Sequence, residues 1–159
     1  NEMGEAWDTL RELSRSGLVL SSANLGGSSA RDGYISSAEL AAMDLSGTEL
    51  VVLSACSTGE GIARSGERVY GIQKAVALAG ARSSLVSLWK VDDKATAEFM
   101  KRFYIRLKQG ESLAEALKSV QSEFFLGLVN SPTKGEDWKR PYFWAAWQLV
   151  GDWRPIKGL

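Results

Sequence analysis

The stretch Glu49-Leu50-Val51-Val52-Leu53-Ser54-Ala55-Cys56-Ser57-Thr58-Gly59-Glu60-Gly61 decides how this chain is read. Its first seven residues form a nearly continuous apolar run, the pattern of a strand buried on both faces of a parallel sheet. Small residues and glycines follow at once, so Cys56 falls at a strand's carboxyl end, where open parallel sheets bind ligands. A nucleophile suits that position. The strand fixes the sulfur, small neighbours admit a substrate backbone, and loop N–H groups can face a developing oxyanion. A lone cysteine at a strand end is nonetheless more often a small buried hydrophobe. Composition and spacing alone do not lift Cys56 above that.

Downstream, a loop continues to Gly66, and a helix starting near Glu67 carries Val69, Ile72, Val76 and Ala79 on one face, with Gly80 at its end. Arg82–Trp89 reads as a second buried strand. Val91-Asp92-Asp93 leads into a helix with Ala95, Phe99, Phe103 and Leu107 four apart, ended by Gly110. Ser112 and Glu115 have capping-box spacing before Leu113, Ala116, Leu117, Val120 and Phe124, another helical stripe. Asn130–Arg140 is polar, with Pro132 and Gly135, and reads as a surface loop. Tyr142–Val150 is aromatic and β-branched enough for a last strand, closed by Gly151-Asp152.

Upstream, Met3, Trp7 and Leu10 recur at helical spacing over residues 2–15, and Gly17 marks a stop. Leu18–Leu20 is a short apolar run, and Leu25–Ser29 a Gly/Ser-rich loop. Ser36 and Glu39 repeat the capping-box spacing for a short helix through Met43, and Ser46-Gly47 breaks it. Alternating strands and helices argue an α/β fold with a mostly parallel sheet flanked by helices. Three core strands and a weak one near Leu18 make that sheet thin, short of strands at its N-terminal side. The chain also opens on Asn1 without an initiator methionine. We therefore expect residues 1–159 to be the C-terminal portion of a single domain.

Lys plus Arg equals Asp plus Glu at 19 each, so no net field recommends nucleic acid or a membrane surface as partner. No apolar run reaches the roughly 20 residues a bilayer crossing needs. The single cysteine excludes an internal disulfide and multi-cysteine metal sites, and points to a reducing, cytoplasmic setting. There is no histidine, which removes the usual general base and the commonest metal ligand. Gly59-Glu60-Gly61 with Gly66 lacks the Gly-Lys-Ser/Thr of a phosphate loop. We expect no metal and no cofactor.

Leu50 to Gly59 is very similar to the nucleophile strand of the CHAT family, caspase-like domains often found next to tetratricopeptide repeats. Further resemblances run in order along the chain. They are Ser16–Leu20; Asp32-Gly33-Tyr34-Ile35 with Glu39 and Leu45; Ala79–Ser83 followed by Ser87-Leu88-Trp89-Lys90-Val91-Asp92-Asp93; and Pro141–Trp147 with Gly151–Arg154. The resemblance implies a caspase-like three-layer sandwich and a cysteine endopeptidase working through a Cys-His dyad. Cys56 is the implied nucleophile, its backbone N–H one oxyanion donor. The histidine lies upstream of Ser16–Leu20 in the family, and so falls before Asn1. Implied partners are a protein or peptide substrate, the segment or chain supplying that histidine, and a repeat-containing regulatory region.

Asp92 and Asp93 follow the second strand, near where proteases of this type form their specificity pocket. A carboxylate there would favour Lys or Arg before the scissile bond. The alternative is that Asp92 caps the following helix and Asp93 complements its dipole. Ser87 and Leu88 would offer backbone bonds to an extended substrate, and Trp89 a wall for it or simple core packing. Without a base, the chain could also serve as a non-catalytic interaction module, or as a small-subunit-like fragment active only with its partner segment.

Overall fold

The computed structural model describes residues 16–19, 33–54 and 62–158, with backbone alone at 19 and 62–68. Two compact units divide the chain, 1–51 with 59–82 and 52–58 with 83–159. The helix expected over 2–15 and the loop at 25–29 lie outside the described residues.

In the first unit, β1 (Gly17–Val19) pairs antiparallel with β2 (Tyr34–Ser36), Gly17 opposite Ser36 and Val19 opposite Tyr34. A Cβ on Gly17 would lie 2.4 Å from the Ile35 carbonyl oxygen and 2.6 Å from the Tyr34 ring. Only glycine lets the strands meet there. The apolar run at Leu18 therefore does form a strand. Ser36 caps α1 (Ser37–Ala41) as its spacing predicts: Glu39 N–H donates to Ser36 Oγ at 3.2 Å, and Ser36 N–H to Glu39 Oε2 at 2.8 Å.

Next comes α2 (Ile62–Leu78), which packs on α1 and buries Val69, Ile72, Ala75 and Val76. It starts five residues before Glu67 and takes Gly66 into its second turn, at a propensity cost of about 1 kcal/mol. The helix stops at Gly80, whose φ of 97° is left-handed. Arg82, just beyond it, pairs with Glu49 and donates its N–H to the Thr48 carbonyl at 2.9 Å.

The second unit is built on a three-stranded mixed sheet of β3 (Val51–Leu53), β4 (Ser83–Ser87) and β5 (Trp147–Gly151), in that order. Every residue of central β4 is buried, as the sequence predicts, whereas the three of β3 are half-buried. β5 runs antiparallel to β4, with Ser87 opposite Trp147 and Ser83 opposite Gly151. In a mixed sheet, β3 and β4 are then the parallel pair. The mostly parallel sheet expected from the sequence thus holds an antiparallel strand.

Helices α3 (Asp93–Lys108) and α4 (Leu113–Phe125) pack against one another and bury the stripes read from the sequence, except Leu117, which is half-buried. Phe99, Phe103, Leu113, Ala116, Val120 and Phe124 are wholly buried. Phe99 lies 5.6 Å from both Phe124 and Trp147, and Phe124 stacks on Trp138 at 5.8 Å. This aromatic chain joins helices to sheet. Trp138 is buried although it sits in the polar stretch read as a surface loop. The last strand begins at Trp147 and not at Tyr142. Pro141–Phe143 is a 3-10 turn, because proline fixes φ and has no N–H to give a ladder.

Candidate functional site

Parallel β3 and β4 bring their carboxyl ends to one edge of the sheet, the edge that binds ligands in such folds. The described part of the first segment ends at Ser54, which is exposed and two residues short of Cys56. Cys56 itself lies outside the described residues. From β4 emerges the segment 88–93, which carries most of the other residues singled out in the sequence.

Three anchors hold that segment. Leu88 N–H donates to the Ala146 carbonyl at 2.9 Å, so this amide is already used and not open to a substrate backbone. Trp89 is half-buried, and its Nε1 donates to the Tyr142 carbonyl at 3.0 Å. Asp92 Oδ1 accepts from Lys94 N–H at 2.9 Å and from Ala95 N–H at 3.0 Å. Asp92 therefore caps α3, as one of its two readings predicts, while Asp93 stands exposed in the first turn. Neither receptor carbonyl, at Tyr142 or Ala146, was visible as such in the sequence, because that segment reads there as strand.

Ser87 sits inside the sheet, its Oγ buried and, among the described residues, without a hydrogen-bond partner. Trp147 lies directly opposite, and its Nε1 is buried and, among the described residues, unpartnered too. The Leu88 bond to Ala146 makes the Ser87/Trp147 pair the non-hydrogen-bonded kind, with side chains at closest approach. On the far side of β5, Gln121 Nε2 reaches the carbonyls of Trp144 at 3.5 Å and Trp147 at 3.4 Å. A helix side chain thereby covers the start of the edge strand, a role without a sequence signal.

The strongest described electrostatics lie elsewhere, between α3 and α4. Arg102 pairs with Glu98 at 2.7 Å and with Glu123 at 2.8 Å, while Arg106 pairs with Glu123 and with Glu111 at 2.7 Å. Burial pushes the Glu123 carboxyl up, but hydrogen bonds from Arg106 and Arg102 outweigh it and hold the group below its ordinary range. A groove of about 310 Å³ there is lined by Glu98, Lys101, Arg102, Ile105, Arg106, Gln109 and Glu123. Its charges are paired with one another, so it serves to join the two helices. Among the described residues no cluster of three His, Cys, Asp or Glu could hold a metal, and no helix is long and apolar enough to cross a membrane.

An α/β unit with a cysteine-bearing segment and an anchored loop leaving adjacent parallel strands defines a class of strand-end sites. The family model of the CHAT domain matches residues 6–152, and the chain belongs to the CHAT domain family. That family is related to caspase-like peptidases. A comparison with curated proteins found no match.

Proposed function

We propose that this chain is the nucleophile-bearing part of a cysteine endopeptidase, with Cys56 attacking the scissile carbonyl to give a thioester acyl-enzyme that water then hydrolyses. What supports this reading is that β3, the strand preceding the Cys56 stretch in sequence, and β4, which leads into the 88–93 loop, are neighbouring parallel strands in a chain of the CHAT family. A free thiol of pKa about 8.5 is mostly protonated at neutral pH and needs a base. These 159 residues contain no histidine, so the base comes from an upstream segment or another chain. A repeat-containing region would regulate it in a cytoplasmic setting, and proteins or peptides would be its substrates.

With Asp92 committed to its cap, Asp93 is the better placed carboxylate to recognise a basic residue before the scissile bond. Trp89 would form a wall beside an extended substrate, and backbone groups beyond Leu88 would bind it. The absence of histidine favours one second reading, a non-catalytic module that binds peptides at the same strand ends.

The test is covalent labelling of the full-length protein by a peptide acyloxymethyl ketone carrying Arg. Modification at Cys56, lost in Cys56→Ala and weakened in Asp93→Ala, supports the peptidase. Equal labelling of wild type and Cys56→Ala refutes the nucleophile, and peptide binding without labelling supports the second reading.

A further inference from the structure

The end of α4 exposes an apolar face of a kind that soluble domains seldom leave bare. Phe125 is 63% exposed, Leu126 64% and Leu128 64%, three large side chains within four residues. The Phe125 ring meets Trp144 edge-on at 6.1 Å, which carries the face onto half-exposed Trp144, two residues from exposed Tyr142. The backbone beneath is fixed. Gly127 N–H donates to the Phe124 carbonyl at 3.0 Å, Leu128 N–H to that of Glu123 at 2.9 Å, and Trp144 Nε1 to that of Lys139 at 3.0 Å. At Gly127, with φ of 72°, a Cβ would stand 2.9 Å from the Lys139 stem, so the lysine lies across the turn.

Cations rim this face. Lys118 lies two turns before Phe125 on the same side of α4, and Lys139 and Arg140 adjoin Trp144. All three are exposed, and none has an ion pair among the described residues. The exposed carboxylates nearby are Asp137, its Oδ1 accepting from Lys139 N–H at 3.0 Å, and Glu115, one turn before Lys118 and bonded to the Ser112 cap. Glu136 is half-buried and taken by Ser131 and the Trp138 indole.

We propose that this face docks an acidic peptide segment of a partner protein that carries large apolar side chains. Those side chains would pack on Phe125, Leu126, Leu128 and Trp144 while its carboxylates meet Lys118, Lys139 and Arg140. A second copy fits less well, because a two-fold contact would set this cationic rim against itself. None of the residues assigned to the cysteine site takes part, so the two readings stand or fall separately.

The test is selection from a random peptide display library against the whole chain, with affinities of the enriched peptides read by fluorescence anisotropy. Enriched peptides should carry net negative charge and at least two large apolar residues, and bind more weakly as salt rises. The exposed-residue double variant Leu126→Ser/Leu128→Ser, checked for an unchanged melting curve, should weaken them about tenfold or more. Lys139→Glu/Arg140→Glu should turn the enriched charge from negative to positive. The proposal is overturned by enriched peptides without negative charge, or by affinity indifferent to both variants. Self-association that Leu126→Ser/Leu128→Ser abolishes also overturns it, as does phosphatidylserine-vesicle binding with the same sensitivity and no peptide enrichment.

Discussion

Replacing Asp92 by Ala separates the two duties that its position suggests. In the structure Oδ1 accepts from Lys94 N–H at 2.9 Å and from Ala95 N–H at 3.0 Å, closing the first turn of a 16-residue helix. Lys94 is exposed, so water replaces the lost bond there at little cost. Ala95 is wholly buried, and its N–H finds a substitute less easily. We therefore expect a loss of about 1–2 kcal/mol, the upper half of the range for a lost N-cap. In a chain of this size that lowers the melting temperature by roughly 2–8 °C. Asp92→Asn keeps an acceptor in place and should stay within about 0.5 kcal/mol of wild type. Asp93→Ala removes only a screened, exposed charge near the helix N-terminus, for about 0.3–1 kcal/mol. Urea unfolding followed by far-UV circular dichroism at pH 7 measures all three. An Asp92→Ala protein as stable as wild type, or an Asn variant as damaged as the Ala one, refutes the capping argument.

Glu123→Gln tests the ionic joint between α3 and α4. Its carboxyl is held below the ordinary value of 4.5, so its stabilisation is present in full above that pH and fades as pH falls through the lower folded value. The variant should cost about 1–3 kcal/mol at pH 7, and its difference from wild type should shrink in acid denaturation as the pH falls below the ordinary 4.5. Phe99→Ala empties the meeting point of Phe124 and Trp147 and should cost about 3–5 kcal/mol, a large share of an ordinary domain's stability. A calorimetric loss under about 1 kcal/mol would mean that the second unit's core does not depend on that contact.

Caps and stripes were legible in the sequence because each is a local signal. Ser36 with Glu39 and Ser112 with Glu115 both form the reciprocal bonds that their spacing implies, and α3 and α4 bury the faces that their periodicity marks. The central strand was legible for a similar reason, since a run buried on both faces needs no alternation. What escaped was decided by distant contacts. β2 has three residues and depends on Gly17 across the ladder for its pairing. Residues 142–146 have strand-like composition, but Pro141 opens a 3-10 turn, and Trp138 is buried by Phe124 and Phe143. Cys56 lies outside the described residues and is singled out by family resemblance alone, because its local pattern equally describes a packed thiol.

These misread segments explain how the site is built. The stretch read as plain strand at 142–146 supplies two receptor carbonyls, Tyr142 for the Trp89 indole and Ala146 for the Leu88 amide. With the Asp92 cap at its far end, the segment leaving β4 is pinned at three points within five residues. Between Trp89 and Asp92, Lys90 is exposed and Val91 is buried, a fourth hold on the backbone. A loop so anchored pays its ordering entropy when the domain folds and not when a ligand arrives. Groups that remain to meet a ligand there are then few: the face of Trp89, the ammonium of Lys90, the carboxylate of Asp93 and the backbone between them. Selectivity at this edge should thus follow substitutions at Lys90 and Asp93, whereas Leu88 and Asp92 act through the fold.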